Sequence, residues 1–334
     1  MSKIAVIILN WNGEALLERY LPSVVAYSGG ADLYVADNAS SDGSVALVRE
    51  KFSQVRLIRN SSNGGFARGY NEALKFVDAD VYCLLNSDVE VTENWLQPVM
   101  KLMEEHPEAA IVQPKILDLL NKEQFEYAGA AGGFLDQLGY PFCRGRIFQA
   151  LEKDTGQYDD ITEIFWASGA CMFVRAEVFR ELGGFDERYF AHQEEIDLCW
   201  RARNRGYTIF YTGFSAVYHL GGSTLSNMNP KKTFLNFRNS LYSITKNLPG
   251  KRVFGIILLR LILDFVAAAR FILQGKSRHC LAICKAHLSY YNNFYDMYRS
   301  RKKAIFRRNY YITTSIVWSH FVNHIRNFND LIKD

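Results

Sequence analysis

Polar and acidic side chains directly follow an apolar run in the segment Leu84-Leu-Asn-Ser-Asp88. A carboxylate at the end of a buried strand cannot be solvated by the sheet, so it commonly serves a ligand. Mg²⁺ and Mn²⁺ take oxygen ligands, often one or two carboxylates together with phosphate oxygens. Asp88 fits this role, with Asn86 as a weaker neutral ligand or a hydrogen-bond donor. The alternative is that Asp88 caps a helix that begins near Thr92.

Three carboxylates stand within four positions at the start of a predicted helix: Glu194, Glu195 and Asp197. Adjacent like charges repel each other, so Glu194 or Glu195 would have a raised pKa, suited to taking up a proton. The alternative is a solvated helix start whose negative charges the helix dipole favours. We expect Asp197 to brace the helix start or to pair with Arg201, four residues further along the chain.

Two other segments place glycine beside a polar or cationic side chain. His219 follows a predicted strand and precedes the glycine-rich residues 220–224, where it could bind a ligand or serve as a structural histidine. Asn63-Gly-Gly-Phe-Ala-Arg-Gly69 opens a predicted helix. Its adjacent glycines do not match the GxGxxG pattern of dinucleotide-binding proteins, but the helix-start amides and Arg68 would suit a phosphate group.

Strands, polar loops and helices alternate through the first part of the chain. Sequence patterns predict strands at residues 4–9, 32–36, 55–58 and 81–85, and helices at residues 14–27, 45–52 and 67–77. This order is typical of an α/β fold with a Rossmann-like, mostly parallel sheet and helices on both faces. Ligands bind at the carboxyl ends of the strands in such sheets, which is where the polar loops fall.

The alternation loosens after residue 110. Strands are predicted at residues 166–174 and 207–211, and helices at residues 176–182 and 194–205. The last proline is Pro249 and few helix-breaking residues follow it, so we expect mainly helices after it.

Seven short motifs occur in order between residues 3 and 249. They are Ile8-Leu-Asn-Trp-Asn-Gly13, Val35-Ala-Asp-Asn-Ala-Ser-Ser-Asp-Gly-Ser44, Asn63-Gly-Gly-Phe-Ala-Arg-Gly-Tyr-Asn71, Leu85-Asn-Ser-Asp-Val89, Ala167-Ser-Gly-Ala-Cys-Met172, Gly183-Gly-Phe-Asp186 and Glu194-Glu-Ile-Asp-Leu-Cys-Trp-Arg201. Each motif alone is weak, but in this order they resemble family 2 glycosyltransferases of the GT-A fold. The chain is similar in particular to the bacterial rhamnosyltransferase-like branch, which builds surface polysaccharides.

The resemblance implies a nucleotide-sugar donor and a divalent cation, Mg²⁺ or Mn²⁺. Asp88 would be a metal ligand, because Asn86-Ser87-Asp88 stands where the family has its metal-binding DxD motif. The asparagine in place of the first aspartate removes one negative charge. His219 matches a later histidine that contacts the metal or the diphosphate.

The resemblance also implies where the donor lies. The base and ribose would lie near Asn10, Asn12 and Asp37. Arg68 and Arg238 would offset charge on the departing nucleoside diphosphate. The remaining implied donor contacts are Asn63, Asn86, Ser87, Trp166, Ser168 and Gly169, of which the last three wall the sugar site.

The implied reaction is a single inverting displacement, in which a carboxylate takes the proton of an acceptor hydroxyl as that hydroxyl attacks the anomeric carbon. Glu195 stands where the family usually has the aspartate of a Glu-Asp motif, which leaves open whether Glu194 or Glu195 is the base. Asp186 and Trp200 are the implied acceptor contacts, although Trp200 could instead be a core residue. The QxxRW motif of processive members is missing, so we expect one sugar to be added per encounter.

The formal net charge of +4 hides an uneven distribution. Residues 1–238 carry 23 basic and 31 acidic side chains, whereas residues 239–334 carry 16 basic and 4 acidic ones. We therefore expect a GT-A catalytic domain at residues 1–238 and a basic, mainly helical region at residues 239–334. The basic region could contact an anionic membrane surface, or pack on the first domain or on a second subunit of a homodimer.

The composition and the lengths of the apolar runs indicate the class of chain and its location in the cell. A hydrophobic fraction of 49% and a charged fraction of 22% exclude a disordered or collagen-like chain. Residues 4–9 are too short for a signal-peptide core, and Arg260, Asp264 and Arg270 interrupt the best candidate for a membrane span, residues 253–273. We expect a cytoplasmic protein with reduced cysteines. It would lie peripherally on the inner face of the cytoplasmic membrane, near a glycan or lipid-linked sugar acceptor.

Three other functions compete with sugar transfer. A nucleotidyltransferase would carry a glycine-rich loop with Arg or Lys directly after the first strand, and Asn10-Trp-Asn-Gly13 is not such a loop. Nucleic-acid binding is suggested only by the basic C-terminal region, and the acidic charge of residues 1–238 disfavours it, so no nucleic-acid partner is expected. A catalytically inactive sugar-nucleotide-binding protein would bind the donor without transferring its sugar.

Overall fold

A nine-stranded sheet forms the centre of the fold. The computed structural model describes residues 2–221, 229–301 and 309–333. The strands are β1 (Ile4–Asn10), β2 (Asp32–Asp37), β3 (Arg56–Arg59), β4 (Val81–Asn86), β5 (Val89–Val91), β6 (Ala109–Asp118), β7 (Gly133–Leu135), β8 (Pro141–Cys143), β9 (Arg146–Ile147), β10 (Ala150–Leu151), β11 (Ile161–Glu163), β12 (Cys171–Arg175) and β13 (Thr208–His219). The helices are α1 (Glu14–Tyr27), α2 (Ser44–Lys51), α3 (Gly65–Ala73), α4 (Leu96–Glu105), α5 (Ala176–Glu181), α6 (Glu194–Asn204), α7 (Pro230–Asn247), α8 (Arg252–Leu273), α9 (Ser277–Arg299), α10 (Ile316–Phe321) and α11 (Phe328–Lys333).

Most strands of this sheet run in one direction. The order across the sheet is β11-β13-β6-β12-β4-β1-β2-β3, and β5 pairs with β13. β1 is parallel to β2 and β4, β2 to β3, and β6 to β13, whereas β12 lies antiparallel between β4 and β6. The carboxyl ends of β1, β2, β4, β6 and β13 therefore meet at one edge, and the expected α/β fold with a mostly parallel sheet is confirmed.

Helices cover both faces of the sheet, as expected. Leu17 of α1 and Val99 of α4 pack in the apolar core on one face. Tyr70 of α3 is buried in the core on the other face, and its hydroxyl lies 3.3 and 3.1 Å from the carbonyl oxygens of Ile7 and Leu85. These contacts fix α3 against the two central strands.

Some elements differ from the sequence-based expectations. β13 continues to His219 instead of ending at residue 211, and the strand expected at residues 166–174 is confined to β12. β7 to β10 form a separate four-stranded sheet, whose strands of two or three residues are too short to leave an alternating pattern in the sequence. The expected boundary between residues 238 and 239 lies inside α7.

Helices α7, α8 and α9 pack against one another, and α7 also packs against α6. Two of the charges that interrupt the apolar residues 253–273 are buried on the inner side of α8. The Asp264 carboxylate contacts the guanidinium of Arg260, the imidazole of His287 and the hydroxyl of Tyr140. Among the described residues, no helix combines the length and the apolar character that crossing a bilayer requires.

We expect Asp264→Ala to lower the free energy of unfolding by about 3–5 kcal/mol, because it leaves the buried guanidinium of Arg260 without its carboxylate partner. Urea denaturation of the full chain measures this change. Asp296→Ala, at an exposed position of α9, is the matched control, with an expected change within about 0.5 kcal/mol. If the two variants were equally stable, the buried ion pair would contribute nothing to stability.

Candidate active site

Asn10 and Asp37 lie opposite each other at the carboxyl ends of β1 and β2. The side-chain amide of Asn10 donates to Asp37 Oδ1 at 3.3 Å and to the hydroxyl of Ser40 at 3.2 Å. Within the described part of the chain, the buried Asn10 Oδ1 has no hydrogen-bond partner. Because an unpaired buried acceptor is costly, this oxygen is a group that a bound ligand would satisfy.

Asn12 fastens the loop after β1 to the loop after β2. Its backbone is left-handed, with φ of 50°, a conformation that asparagine tolerates better than most residues. Its backbone N–H donates to the hydroxyl of Ser40, and its Oδ1 accepts from the N–H of Ser41. Asn12 is exposed, so it lies at the rim of the site beside the buried pair of Asn10 and Asp37.

The glycines before α3 allow the loop before α6 to approach closely. Gly65 has φ of +78°, and a Cβ atom there would lie 2.4 Å from the carbonyl oxygen of Phe190. The N–H groups of Phe66 and Ala67 donate to that same oxygen at 2.8 and 3.4 Å. The prediction that the helix-start amides bind phosphate is therefore wrong, because they already bind the chain itself.

Asn63 and Arg68 lie at the start of α3. Asn63 Oδ1 accepts from the N–H of Gly65 at 2.9 Å and from the side-chain amide of Asn38 at 3.1 Å, which joins the loops after β2 and β3. The side chain of Arg68 is half exposed, and its Nε lies 4.0 Å from the carboxylate of Glu187. An exposed ion pair at this distance is weak, so it does not prevent Arg68 from binding a phosphate group.

His219, at the end of β13, lies between two buried carboxylates. Its Nε2 lies 3.1 Å from Asp88 Oδ1, and its Nδ1 lies 3.3 Å from Glu126 Oε2. Burial alone would lower the pKa of His219, but the charges of Glu126 and Asp88 outweigh burial and raise the pKa to about 10. The side-chain amide of Asn86 lies 3.4 Å from His219 Nε2, and the partly exposed Ser87 separates Asn86 from Asp88.

Asp88 and His219, the two implied metal ligands, are thus in direct contact. A divalent cation would have to displace the proton of His219, after which Asp88 and His219 could ligate it together with diphosphate oxygens. No group of three or more His, Cys, Asp or Glu side chains in the described ranges is arranged to hold a metal ion by itself. Residues 222–224 of the predicted glycine-rich turn lie outside the described residues.

Glu194 and Glu195 begin α6. In each of them the buried Oε2 atom has no hydrogen-bond partner among the residues that the structure describes. Burial, together with the charges of Glu195 and Asp197, raises the pKa of Glu194 well above its usual range. Burial also raises the pKa of Glu195, to about 7. Two adjacent buried carboxyl groups titrate together, so at neutral pH one of the pair can take up a proton while the other keeps its own.

Asp197 braces α6, as expected. Its carboxylate accepts from Arg201 at 2.8 Å and from Lys246 of α7 at 3.0 Å. Lys246 also binds Asp186 at 2.6 Å. Burial would raise the pKa of Asp186, but Arg188 and Lys246 outweigh burial and lower it. Asp186 is thus paired with Arg188 of its own loop and with Lys246, which holds this loop to α7. Its implied contact with an acceptor stays a prediction.

The loop before α6 has a strained backbone that α7 holds in place. Phe190, His192 and Gln193 have φ values of 65°, 68° and 72°, which are unfavourable for residues other than glycine. The side-chain amide of Asn239, which is fully buried, donates to the carbonyl oxygens of Tyr189, Ala191 and His192 at 2.7 to 3.1 Å. Asn239 therefore positions the segment that leads into Glu194 and Glu195.

Arg238 supports the same loop. Its Nη2 lies 3.1 Å from the carbonyl oxygens of Arg188 and Tyr189, and its guanidinium lies over the ring of Tyr242. These contacts hold the partly exposed Arg238 against the loop before α6. Its implied contact with a diphosphate stays a prediction.

Trp166 and Trp200 are core residues. The Trp166 indole N–H donates to the carbonyl oxygen of Phe134, and the side chain is 4% exposed. Trp200 is 2% exposed and packs on the rings of Phe165 and Tyr310. Rings buried to this degree cannot stack on a sugar, so the implied contacts of Trp166 with the donor sugar and of Trp200 with the acceptor are wrong.

Ser168 and Gly169 lie in the turn before β12. The Ser168 N–H donates to the side chain of Gln113 at 2.7 Å. The N–H of Asn86 donates to the carbonyl oxygen of Ala170 at 3.0 Å. This contact places the turn beside the segment that carries Asp88.

Sequence reasoning missed Glu126 and Asn239. Neither belongs to a motif, and each contacts its partners across more than 40 positions of the chain. The sequence offered only an indirect indication for Asn239, which directly follows Arg238, an implied contact of the diphosphate.

The chain is similar in sequence to known proteins. The family model described as "Glycosyl transferase family 2" matches residues 5–183. An N-acetylglucosaminyl-diphospho-decaprenol L-rhamnosyltransferase of Mycobacterium tuberculosis is 27% identical over 223 residues, covering 61% of this chain and 71% of that protein. A low-salt glycan biosynthesis hexosyltransferase of Haloferax volcanii, Agl10, is 23% identical, covering 63% of this chain and 64% of that protein.

Solved structures share the fold. Residues 1–349 of TarS from S. aureus match with a TM-score of 0.54 and 14% identity, covering 89% of this chain and 90% of that chain. The mannosyltransferase PcManGT of Pyrobaculum calidifontis, solved with GDP-Man and Mn²⁺, also matches with a TM-score of 0.54 and 14% identity, covering 90% of this chain and 84% of that chain. At this identity the likeness concerns the GT-A fold.

We expect Asn239→Ala to accelerate hydrogen–deuterium exchange of residues 188–193, because the amide that holds three of their carbonyl groups is lost. Leaving these buried groups unpaired should also lower the free energy of unfolding by about 1–3 kcal/mol. Asn292→Ala, at an exposed position of α9, is the control and should change neither quantity. Wild-type exchange rates in Asn239→Ala would mean that the loop keeps its conformation without α7.

Proposed function

The chain belongs to glycosyl transferase family 2, and we propose that it transfers one sugar, with inversion, from a nucleotide-sugar to a hydroxyl group of a glycan or lipid-linked acceptor in surface-polysaccharide synthesis. The observation that carries the proposal is the contact of Asp88 with His219 at the edge of the sheet where Asn10 and Asp37 also end. At this edge Asn10 and Asp37 would bind the nucleoside, and Asp88 and His219 would lie beside the diphosphate. The lipid-linked acceptor is supported by the name of the mycobacterial relative, which includes a diphospho-decaprenol.

The donor would lie along the carboxyl edge of the sheet. Asn10, Asn12 and Asp37 would bind the base and ribose, and the unpaired Asn10 Oδ1 would accept a hydrogen bond from them. Asp88 and His219 would hold Mg²⁺ or Mn²⁺, which when bound supplies positive charge beside the diphosphate. Arg68 would add a second positive charge at the start of α3.

Glu195 would be the base. Burial raises the pKa of both glutamates, so one of the pair can be unprotonated at neutral pH, and Glu195 is the less deeply buried of the two. As Glu195 takes the proton of the acceptor hydroxyl, the hydroxyl oxygen forms a bond to the anomeric carbon and the bond to the diphosphate oxygen breaks. Attack from the face opposite the diphosphate inverts the configuration at that carbon.

We expect a thermal-shift screen with UDP-, dTDP- and GDP-sugars to find a donor that raises the Tm of the protein. The same donor should raise the Tm further when Mn²⁺ is present. The stabilisation should grow with the logarithm of the donor concentration. Asp88→Ala should lose the part of the shift that depends on Mn²⁺. Asp118→Ala, which removes a partly exposed carboxylate at the end of β6, is the matched control and should keep it. A wild-type protein whose Tm no donor raises would refute donor binding.

We expect Glu195→Gln to lower the transfer rate by about 10²- to 10⁴-fold, because the amide cannot take up the acceptor proton. Glu194→Gln is the matched control and should retain most of the activity. The wild-type rate should rise with pH around 7, since Glu195 must first lose its own proton. Full transfer by both Asp88→Ala and Glu195→Gln would refute the site. Donor binding without transfer to any acceptor would instead indicate a sugar-nucleotide-binding protein.

A further inference from the structure

Helix α8 reverses part of the usual arrangement of charged and apolar side chains, although Val253, Ile256 and Ala268 remain buried on its inner side. Arg260 and Asp264 are buried, whereas Leu258, Ile262 and Phe265 point outward, with Phe265 75% exposed. The usual pattern of a helix in water places apolar side chains toward the protein and charged ones toward the solvent. The reversal leaves a long apolar face without cover in the described part of the chain.

The neighbouring helix α9 extends this surface. We call the two sets of side chains together the α8–α9 apolar face. Its large exposed members are Phe254, Leu258, Leu259, Leu261, Ile262, Phe265, Val266, Ile272, Leu273, Leu281, Leu288, Tyr291, Tyr295 and Tyr298. Many large apolar side chains exposed on two helices that pack together indicate a protein or membrane contact.

Cationic side chains lie along α8 and α9 and at the ends of the two helices. Exposed or partly exposed cations at residues 251–299 are Lys251, Arg252, Arg270, Lys276, Arg278, Lys285 and Arg299. Over the same range Asp296 is the sole exposed carboxylate, because Asp264 is buried. A second copy docked on this face would bring like charges together, whereas anionic lipid headgroups would meet charges of opposite sign.

We propose that the α8–α9 apolar face lies in the headgroup region of an anionic membrane, with its apolar side chains at the acyl boundary and its cations at the lipid phosphates. Apolar burial and headgroup attraction act together at such a surface. The buried network of Arg260, Asp264, His287 and Tyr140 fixes α8 and α9 to the catalytic domain, so the face is rigidly attached to it.

The α8–α9 apolar face is connected to the candidate active site through α7. The hydroxyl of Thr233, in the first turn of α7, lies 2.8 Å from His279, in the first turn of α9. One to two turns further along α7, Asn239 holds the loop that leads into Glu195. The turn between α8 and α9 therefore lies near the N-terminal end of α7, one to two turns of helix before Asn239. If the proposed function holds, the membrane contact would bring a lipid-linked acceptor to the base.

The test is co-sedimentation of the full chain with vesicles of phosphatidylcholine, with and without phosphatidylglycerol. Binding is expected only with phosphatidylglycerol and should weaken as salt is raised. Leu258→Glu/Phe265→Glu should bind at least about tenfold less, because two apolar anchors become charged. Phe76→Glu/Phe214→Glu is the matched control, since these residues are 71% and 61% exposed on the catalytic domain, and it should bind like the wild type. Lys285→Ala should bind about fivefold less.

Two results would overturn the proposal. One is unchanged vesicle binding by Leu258→Glu/Phe265→Glu. The other is a wild-type dimer in light scattering that this double variant converts to a monomer, which would identify the face as an interface between copies. Donor-induced thermal shifts should be unchanged in the double variant, and this reports on folding and on the donor site independently of lipid. Vesicle binding by a protein that binds no donor would refute the proposed function and leave the membrane contact standing.

Discussion

The contacts of His219 with Asp88 and Glu126 hold three ionisable side chains at one edge of the sheet, where little water reaches them. Buried charges of this kind are stable only when they are paired, because the cost of removing each from water is large. The pairing requires that β5 lies antiparallel to β13, with Val89, the residue after Asp88, opposite His219. This short strand pairing is therefore the condition for the site.

A second condition for the site is that α7 holds the loop before α6 in its conformation. The loop before α6 has three left-handed residues, a conformation that persists only where other contacts compensate for it. Asn239 and Arg238 provide these contacts from α7, and Lys246 adds ion pairs to Asp186 and Asp197. Helix α7 is thus part of the candidate active site, although the charge distribution alone had divided it between two regions.

The motifs allowed the fold and much of the site to be predicted, because they lie at strand ends and the direction of a parallel sheet determines where those ends meet. Asn10, Asp37, Asp88 and His219 are examples. Long-range contacts were not predictable, since Glu126 reaches His219 from a segment without a motif. The type of a residue also did not allow us to predict whether its side chain is buried. Trp166 and Trp200 are aromatic residues within the motif region, yet only the packing of their rings shows that they belong to the core.

The continuity of α7 bears on how such enzymes can exchange parts. A chimera joined at residue 238 would combine the Asn239 of one parent with the strained loop of another. The side-chain amide of the first parent need not then match the carbonyl groups of the second parent's loop. A junction at Pro249 and Gly250, directly after α7, keeps the helix with the loop that it holds. Recombination between relatives, in nature or in the laboratory, would preserve the catalytic loop most readily at this point.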